Sequence, residues 1–387
     1  MSFIIKKLGY YVCDNLEFES KIEAFLYSKI VKKEVQWIFN NEVFDIYPWH
    51  IEPEESLDDL YDQRARELRD QYDYLILSYS GGSDSNNILQ SFIRQNLFMD
   101  EIIVNTMEKG SKKYTVLNNE IKDPWNTGAE HYLQTIPRLK EQEKFLSKTK
   151  ITILDLTDHL FKELEKYDTK NWILEKKEKL NPVGITRFNY IHFNEIRKQF
   201  DKNKKIGIIL GIDKPKSLII DGKLYLRFHD RIANMVSIVN HFKDYTNSSV
   251  EYFYWDPSCA KMIAKQVHVI KKFLITYPQY QNLWNIKTTS FHNVVVEHER
   301  ILRNILYSNW NPDWFQVNKA AFGWFCEFDH WFIYGCKDTK ANKIWKEGID
   351  YASSILSEFI RKDSTGNPDG LKVFTKSYYV GDINSLI

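Results

Sequence analysis

The stretch Tyr74-Leu-Ile-Leu-Ser-Tyr-Ser-Gly-Gly-Ser-Asp-Ser85 decides the fold of this chain. Residues 74–79 form a short, almost wholly apolar run, which is typical of a parallel strand covered on both faces. The run stops at the loop Ser80–Ser85, and a helix is expected after it because apolar residues recur there at helical spacing: Ile88, Leu89, Phe92 and Ile93. Residues 101–106 predict a second strand. A strand, a helix and a strand within about 33 residues predict a right-handed crossover in a parallel sheet.

Strands and helices continue to alternate after this unit. We expect a third strand at 151–156, a fourth at 205–212, and helices at 128–147 and 185–200. The alternation predicts an α/β fold with a doubly wound parallel sheet over residues 71–230. A small mixed α+β unit is expected over residues 1–70 and a mostly helical region over residues 231–387.

Local signals predict further elements on either side of the sheet. Ser56 with Asp59 is typical of a helix N-terminal cap, and Asp221-Gly222 is typical of a two-residue hairpin turn. The remaining expectations are a strand near Tyr10–Cys13, a helix from Glu19, a strand pair joined around Asn40-Asn41, and helices at Cys259–Thr276, Val294–Tyr307 and Lys340–Arg361.

The loop Ser80–Ser85 has the chemistry of an anion site. Gly81 and Gly82 let the backbone turn sharply and approach an anion closely. The N–H groups of the loop and of the next helix then point at the ligand, at the positive end of the helix dipole. The hydroxyls of Ser80, Ser83 and Ser85 add donors, and Asp84 is a candidate ligand for a magnesium ion. The alternative is a flexible turn without a ligand.

This loop lacks the Gly-Lys-Ser/Thr ending of the nucleotide P-loop and the three spaced glycines of the dinucleotide fingerprint. Its six residues resemble the PP-loop of the ATP pyrophosphatase superfamily, whose motif is Ser-Gly-Gly-x-Asp-Ser. That family includes asparagine synthetase, GMP synthetase, NAD synthetase, argininosuccinate synthetase and several tRNA-modifying enzymes. The chain is also similar to PP-loop proteins that bacteriophages encode.

The resemblance implies a HUP-like fold, ATP and Mg²⁺ as cofactors, and cleavage between the α and β phosphates. The loop would hold the pyrophosphate, and an acceptor carboxylate or base carbonyl would become adenylated before a nitrogen nucleophile displaces AMP. The synthetase domain of asparagine synthetase is the nearest analogue. The acceptor would be a small molecule, a modified nucleotide or a tRNA base.

Two other strand ends supply candidate residues, because ligands of open α/β sheets lie beyond the carboxyl ends of the strands. Asn105 and Thr106 end the second strand, where the family places residues next to adenine. Gly211-Ile-Asp-Lys-Pro-Lys216 ends the fourth strand and loosely resembles the Gly-Asp-Gly region of asparagine synthetase. Asp213 is a candidate second magnesium ligand, and Lys214 or Lys216 a candidate phosphate cation. A charged turn before a hairpin is the alternative interpretation.

Features that the sequence lacks make some branches of this family less suitable as models for the chain. Glutamine-dependent asparagine synthetases carry a glutaminase domain whose nucleophile is an N-terminal cysteine. Here Ser2 follows Met1, and the roughly 80 residues before the loop are too few for that domain, so we do not expect it. The sequence has no Cys-x-x-Cys, which lowers the rank of sulfur transfer and of a zinc-binding cysteine set. A sulfur-transfer or sulfonucleotide-reductase relative remains the enzymatic alternative. A nucleotide-binding module without turnover is the alternative that is not an enzyme.

Cysteine and tryptophan residues in the C-terminal region allow several interpretations. The spacing of Cys326, His330 and Cys336 matches no common zinc site, so buried thiols are the simpler hypothesis. Four tryptophans crowd into a short segment: Trp310, Trp314, Trp324 and Trp331. We expect them to pack between the helical region and the α/β domain, with a wall for the acceptor pocket or a platform for nucleobases as alternatives.

Composition excludes several broad classes of protein. The 387 residues include 53 Lys plus Arg and 52 Asp plus Glu, and this balance gives no case for general nucleic-acid binding. Four cysteines are too few for a disulfide scaffold. No apolar run has the length of a membrane span, and the first residues lack the pattern of a signal peptide. We therefore expect a cytoplasmic protein that does not enter membranes.

Overall fold

A computed structural model describes most of the chain. The described residues are 9–106, 108–110, 130–166, 204–212, 214–230, 248–285, 292–316, 332, 336–359, 361–362, 368–371 and 373–384. Several sequence predictions fall elsewhere and lie outside the described residues: Asp213, the helix at 185–200, Trp324, Cys326, His330 and Trp331.

The N-terminal part forms a three-stranded antiparallel sheet of order β2-β1-β3. Its elements are β1 (Tyr10–Cys13), β2 (Leu16–Phe18), α1 (Lys21–Val31), β3 (Gln36–Ile38) and α2 (Asn41–Phe44). The strand pair predicted around Asn40-Asn41 is wrong, because β3 pairs with β1 and a short helix follows it. Asn40 has a left-handed φ of 51°, and the Asn41 side chain accepts a hydrogen bond from the Phe39 N–H. These asparagines turn the chain into a helix and not into a hairpin.

A long amphipathic helix, α3 (Leu57–Gln71), leads into the central sheet. Its predicted N-terminal cap is confirmed. The Asp59 N–H donates to Ser56 Oγ at 3.1 Å, and the Ser56 N–H donates to Asp59 Oδ2 at 3.2 Å. This reciprocal pair satisfies two backbone donors that a helix start otherwise leaves open.

The central sheet has five strands, all parallel, in the order β6-β5-β4-β7-β10, and helices flank it. The elements along this part of the chain are β4 (Tyr74–Ser78), α4 (Ser83–Arg94), β5 (Glu101–Thr106), α5 (Ile136–Glu141), β6 (Lys150–Asp155), α6 (Thr157–Glu165), β7 (Ile206–Leu210), β8 (Lys216–Ile220), β9 (Lys223–Arg227) and β10 (Ser248–Tyr252). The predicted α/β fold with a parallel sheet is therefore confirmed, as are its four predicted strands to within a few residues.

The fifth strand, β10, was not predicted, and it lies in the region that we expected to be mostly helical. Its fourth residue is Glu251, which interrupts the apolar pattern of a buried strand. That carboxylate is buried with a partner, because Arg64 of α3 reaches it at 3.1 Å and the Ser249 hydroxyl at 2.9 Å. The ion pair with Arg64 offsets the cost of burying this charge. Because Arg64 lies 187 residues earlier in the chain, no local sequence signal predicts the pair.

A second sheet of order β13-β9-β8 lies in the C-terminal half. The predicted hairpin is confirmed, since Ile220 pairs with Lys223 across Asp221 and Gly222, both at positive φ. The remaining elements are α7 (Ala260–Thr276), α8 (His292–Leu306), α9 (Lys340–Ile355), β11 (Arg361–Lys362), β12 (Pro368–Gly370) and β13 (Tyr378–Asp382). All three predicted helices are present, and α9 ends six residues before the predicted Arg361.

Much of the aromatic content packs into one core between the N-terminal unit and the hairpin. Phe44 stacks on Phe228 with ring centroids 4.7 Å apart, and Trp255 meets Phe228 edge-on at 5.4 Å. Trp37 and Phe39 extend the same cluster. The N-terminal unit therefore shares its core with the rest of the chain.

Among the residues that the structure describes, no helix is both long enough and apolar enough to cross a membrane.

Candidate functional site

The loop Ser80–Ser85 follows β4 at the point where the strand order reverses. The strand β5 lies on one side of β4 and β7 on the other, so the connections leave in opposite directions from this position. Gly211, directly after β7, packs against the loop so closely that a Cβ there would lie 3.1 Å from the Ser85 nitrogen. Crevices at such switch points are the usual ligand sites of open α/β sheets.

The loop is held in shape by its own serines. The Ser80 Oγ accepts from the Gly82 N–H at 3.3 Å, and the Ser85 hydroxyl donates to the Gly82 carbonyl at 3.2 Å. Gly81 has φ +69°, a conformation that favours glycine. Gly82 is the N-cap of α4 and, as a glycine, has no side chain with which to cap that helix start. Ser80 is exposed, whereas Ser83 and Ser85 are buried, so the predicted hydroxyl donors divide between a face open to a ligand and a supporting face.

Two residues that the sequence did not indicate support the loop from behind. The Gln134 amide and the Thr135 hydroxyl both donate to the Ser80 carbonyl, at 2.9 and 2.7 Å. They end a turn of π-helix, Glu130–Thr135, which replaces the first part of the helix predicted over 128–147. The π turn meets α5 close to Pro137, where we expected an interruption. A π turn of this kind often marks a functional position.

Asp84 and Lys214 form the charged centre of the site. The Lys214 Nζ lies 2.7 Å from Asp84 Oδ1 and 3.0 Å from Oδ2, and the Tyr307 hydroxyl also donates to Oδ1. Lys214 is only 3 % exposed. The two predicted residues are 130 positions apart in the chain, and the fold brings them into a bidentate ion pair.

The Asp84 carboxylate can be tested for its fit to a magnesium ion. A carboxylate offers about four lone-pair positions. Lys214 and Tyr307 use two on Oδ1 and one on Oδ2, which leaves one position on Oδ2. Mg²⁺ in nucleotide sites commonly takes one or two carboxylate oxygens beside phosphate oxygens and water, so one protein oxygen fits once the Lys214 ammonium, 3.0 Å from Oδ2, moves aside. Among the described residues no cluster of three His, Cys, Asp or Glu could hold a metal alone.

Tyrosines from the C-terminal region enclose the start of α4. The Tyr254 hydroxyl donates to the Asp84 carbonyl at 2.9 Å and accepts from the Asn87 amide at 3.0 Å. Burial raises the pKa of Tyr254 and of Tyr307, so both phenols stay protonated and donate. Tyr61 packs edge-on against Tyr254 with ring centroids 5.8 Å apart. These residues lie too far apart in the sequence for spacing to reveal their common role.

The other predicted site residues lie on the neighbouring strand or outside the described residues. Asn105 and Thr106 end β5, as predicted. The Thr106 Oγ1 accepts from the Glu108 N–H at 2.9 Å, and its carbonyl accepts from the Leu156 N–H. Thr106 thus holds the turn after β5. Asp213 lies outside the described residues.

A segment with two of the predicted tryptophans packs against the support of the loop. The Arg138 guanidinium lies 4.7 Å from the Trp310 ring centroid and 4.9 Å from that of Trp314, and it donates to the Phe315 carbonyl at 2.9 Å. Burial lowers the pKa of Arg138 to about 10. The Gln316 amide lies 4.0 Å from the position of a Cβ at Gly82. The tryptophans therefore pack on the α/β part, as predicted, and bring the chain up to the loop.

His298, a half-buried histidine next to the site, is expected to make the stability of the protein depend on pH. Burial lowers the pKa of His298 to about 4, with Glu299 opposing the shift. An unfolded histidine has a pKa of about 6.5, so the unfolded chain binds the proton first, and the free energy of unfolding falls as the pH drops from about 6.5 to 4. Between pH 7 and 5 we expect His298 to contribute a loss of about 1–2 kcal/mol.

Denaturant unfolding at the two pH values checks this expectation. His298→Gln should remove that part of the loss, whereas the exposed His50→Gln should keep the wild-type dependence. An equal loss in wild type and His298→Gln would show that other groups cause it.

Comparisons of the chain with models of protein families and with curated proteins find no match.

Proposed function

We propose that this chain is an ATP-dependent ligase or amidotransferase of the ATP pyrophosphatase type, which releases AMP and pyrophosphate. The observation that carries the proposal is the serine–glycine loop itself. It lies at the switch point of a parallel sheet, opens a helix whose N-cap is Gly82, and has the Lys214 ammonium beside it. Backbone donors, a helix dipole and a cation converge there, as a polyphosphate requires.

The residues of the site would divide the work as follows. Gly81, Gly82 and the serine hydroxyls would bind the pyrophosphate portion of ATP, and Lys214 would neutralise its negative charge. Asp84 would hold Mg²⁺ through Oδ2, and the ion would supply charge stabilisation on the phosphate oxygens. Catalysis would consist mainly of positioning and charge neutralisation.

The proposed reaction has two steps. An acceptor oxygen attacks the α-phosphorus, the bond from that phosphorus to the bridging oxygen breaks, and pyrophosphate leaves. A nitrogen nucleophile then attacks the activated carbon of the acceptor, and AMP leaves with the bonding electrons. The acceptor class that we propose is a carboxylate or a base carbonyl of a small molecule, a nucleotide or a tRNA.

The cysteines favour nitrogen over sulfur as the second nucleophile. Cys13, Cys259 and Cys336 are buried, and burial raises the pKa of Cys259 to about 11 and that of Cys336 to about 12. Thiols of this kind stay protonated and unreactive at neutral pH. Cys326 lies outside the described residues, so replacing all four cysteines is the direct test of the sulfur alternative. Full activity of that variant would remove it.

Incubation with α-labelled ATP tests the proposal. With Mg²⁺ and pools of carboxylates, amines and tRNA, we expect labelled AMP together with an equal amount of pyrophosphate. ADP as the product would overturn the assignment. Tight binding of ATP with no product from any pool would favour a nucleotide-binding module.

A further inference from the structure

Four alternating charges run from the loop to helix α8. Asp84 pairs with Lys214, and the Lys214 Nζ lies 3.7 Å from an oxygen of Glu299. The other oxygen of Glu299 lies 3.7 Å from the Nζ of Lys216. Glu299 therefore faces Lys214, in the turn after β7, and Lys216, the first residue of β8. Neither the sequence motifs nor the role of the loop accounts for this carboxylate.

The ion pair between Asp84 and Lys214 conflicts with a metal on the same carboxylate. The Lys214 Nζ lies 3.0 Å from Oδ2, the oxygen with a lone pair left for a cation. An ammonium and a divalent ion on one oxygen repel each other strongly where little water screens them. Lys214 has to move before a metal binds there.

The Lys214 ammonium can reach Glu299 by a short movement. With 3 % of Lys214 exposed, the ammonium cannot turn into bulk water without leaving its packed position. A shift of about 1 Å toward Glu299 would bring the Nζ to the usual length of a charged hydrogen bond. The four-carbon stem of lysine allows a shift of this size by small rotations. Glu299 thus offers the ammonium a second counter-ion.

We infer that Glu299 is a positioning residue that receives the Lys214 ammonium when a divalent cation binds to Asp84. The inference rests on the proposed function, because it takes Asp84 as the metal ligand. In the metal-free protein Lys214 closes on Asp84. With the metal bound, Lys214 pairs with Glu299 and is turned toward the phosphates that the metal accompanies.

Binding of Mn²⁺, followed by the loss of its free electron paramagnetic resonance signal, tests the inference without any turnover. Glu299→Gln should weaken Mn²⁺ binding about tenfold, an ordinary size for a coupling between two sites. Lys214→Met should strengthen it, because the competing ammonium is gone. In the Lys214→Met background, Glu299→Gln should have almost no further effect, which a purely structural role of Glu299 would not produce.

Two further variants complete the experiment. Glu297→Gln is the matched control, since it removes a carboxylate of the same helix that pairs with Arg300 at 2.7 Å, and it should bind Mn²⁺ like the wild type. Asp84→Asn should abolish the binding. If the wild type binds no Mn²⁺, or if Glu299→Gln matches the wild type or weakens binding equally with and without Lys214, the inference is overturned.

A parallel assay for AMP and pyrophosphate separates this inference from the proposed function. Products without any dependence of Mn²⁺ binding on Glu299 would overturn the inference and leave the function standing. The predicted pattern of Mn²⁺ binding without AMP or pyrophosphate would support the inference and count against the proposed function. Mn²⁺ binding that is unchanged in Asp84→Asn would overturn both the inference and the role of Asp84 as a metal ligand.

Discussion

Replacing Gly81 with alanine is expected to destabilise the protein by about 2–5 kcal/mol and to weaken ATP binding about 100-fold. Gly81 has φ +69°, which costs a residue with a Cβ about 1–2 kcal/mol. The new Cβ would also lie 2.8 Å from the Thr135 Cα, a backbone atom that cannot rotate away. Overpacking of this kind typically costs a further 1–3 kcal/mol.

The loss of binding follows from the position of that contact. Thr135 and Gln134 hold the Ser80 carbonyl, so pushing Thr135 back moves the first residue of the loop. Backbone donors bind an anion only while they converge on it. Denaturant unfolding and titration with ATP measure the two effects.

Gly82→Ala is the matched control for the stability effect of Gly81→Ala. Gly82 has φ −69°, and the nearest atom to a Cβ there is the Ser80 Oγ at 3.2 Å, the end of a small side chain that can adjust. We expect a stability change below about 1 kcal/mol. Equal losses of stability from both substitutions would contradict the role given to the left-handed conformation of Gly81.

The parts of the fold that the sequence predicted are those with a local cause. The run at 74–79 is apolar because both faces of β4 are covered, and the helix after the loop has a regular apolar face. Ser56 and Asp59 form their cap within one turn, and Asp221-Gly222 closes its hairpin alone. In each case the residues that make the signal also make the structure.

The parts that the sequence did not predict depend on partners far away in the chain. The strand β10 was not predicted because Glu251 interrupts its apolar pattern, and Arg64, which makes the burial of this carboxylate possible, lies 187 residues earlier. Tyr307 reaches Asp84 across 223 residues, and Gln134 reaches Ser80 across 54. The loop Ser80–Ser85 was thus predictable as a motif, whereas the groups that hold it and Asp84 in place became visible only with the tertiary structure.

Asp84→Asn is expected to lower the proposed turnover by about 10²–10³-fold, the usual cost of removing a group that stabilises charge in a transition state. Asparagine keeps the shape of the side chain, so packing at the start of α4 should change little. The substitution removes the negative charge on which the metal role depends and leaves Lys214 with Glu299 at 3.7 Å as a counter-ion. Initial rates of pyrophosphate release, measured over a range of Mg²⁺ concentrations, check the effect.

Asp62→Asn separates the chemistry of Asp84 from the general cost of losing an ion pair. Asp62 of α3 is 8 % exposed and pairs at 2.6 Å with Arg94, the last residue of α4. Breaking that pair should destabilise the protein by about 1–3 kcal/mol while the turnover per folded molecule stays near that of the wild type. Tyr307→Phe should lie between the two, with a loss of about tenfold or less, because Lys214 still holds the Asp84 carboxylate. If Asp84→Asn and Asp62→Asn lose turnover equally, the carboxylate of Asp84 has a structural role and no part in binding the metal.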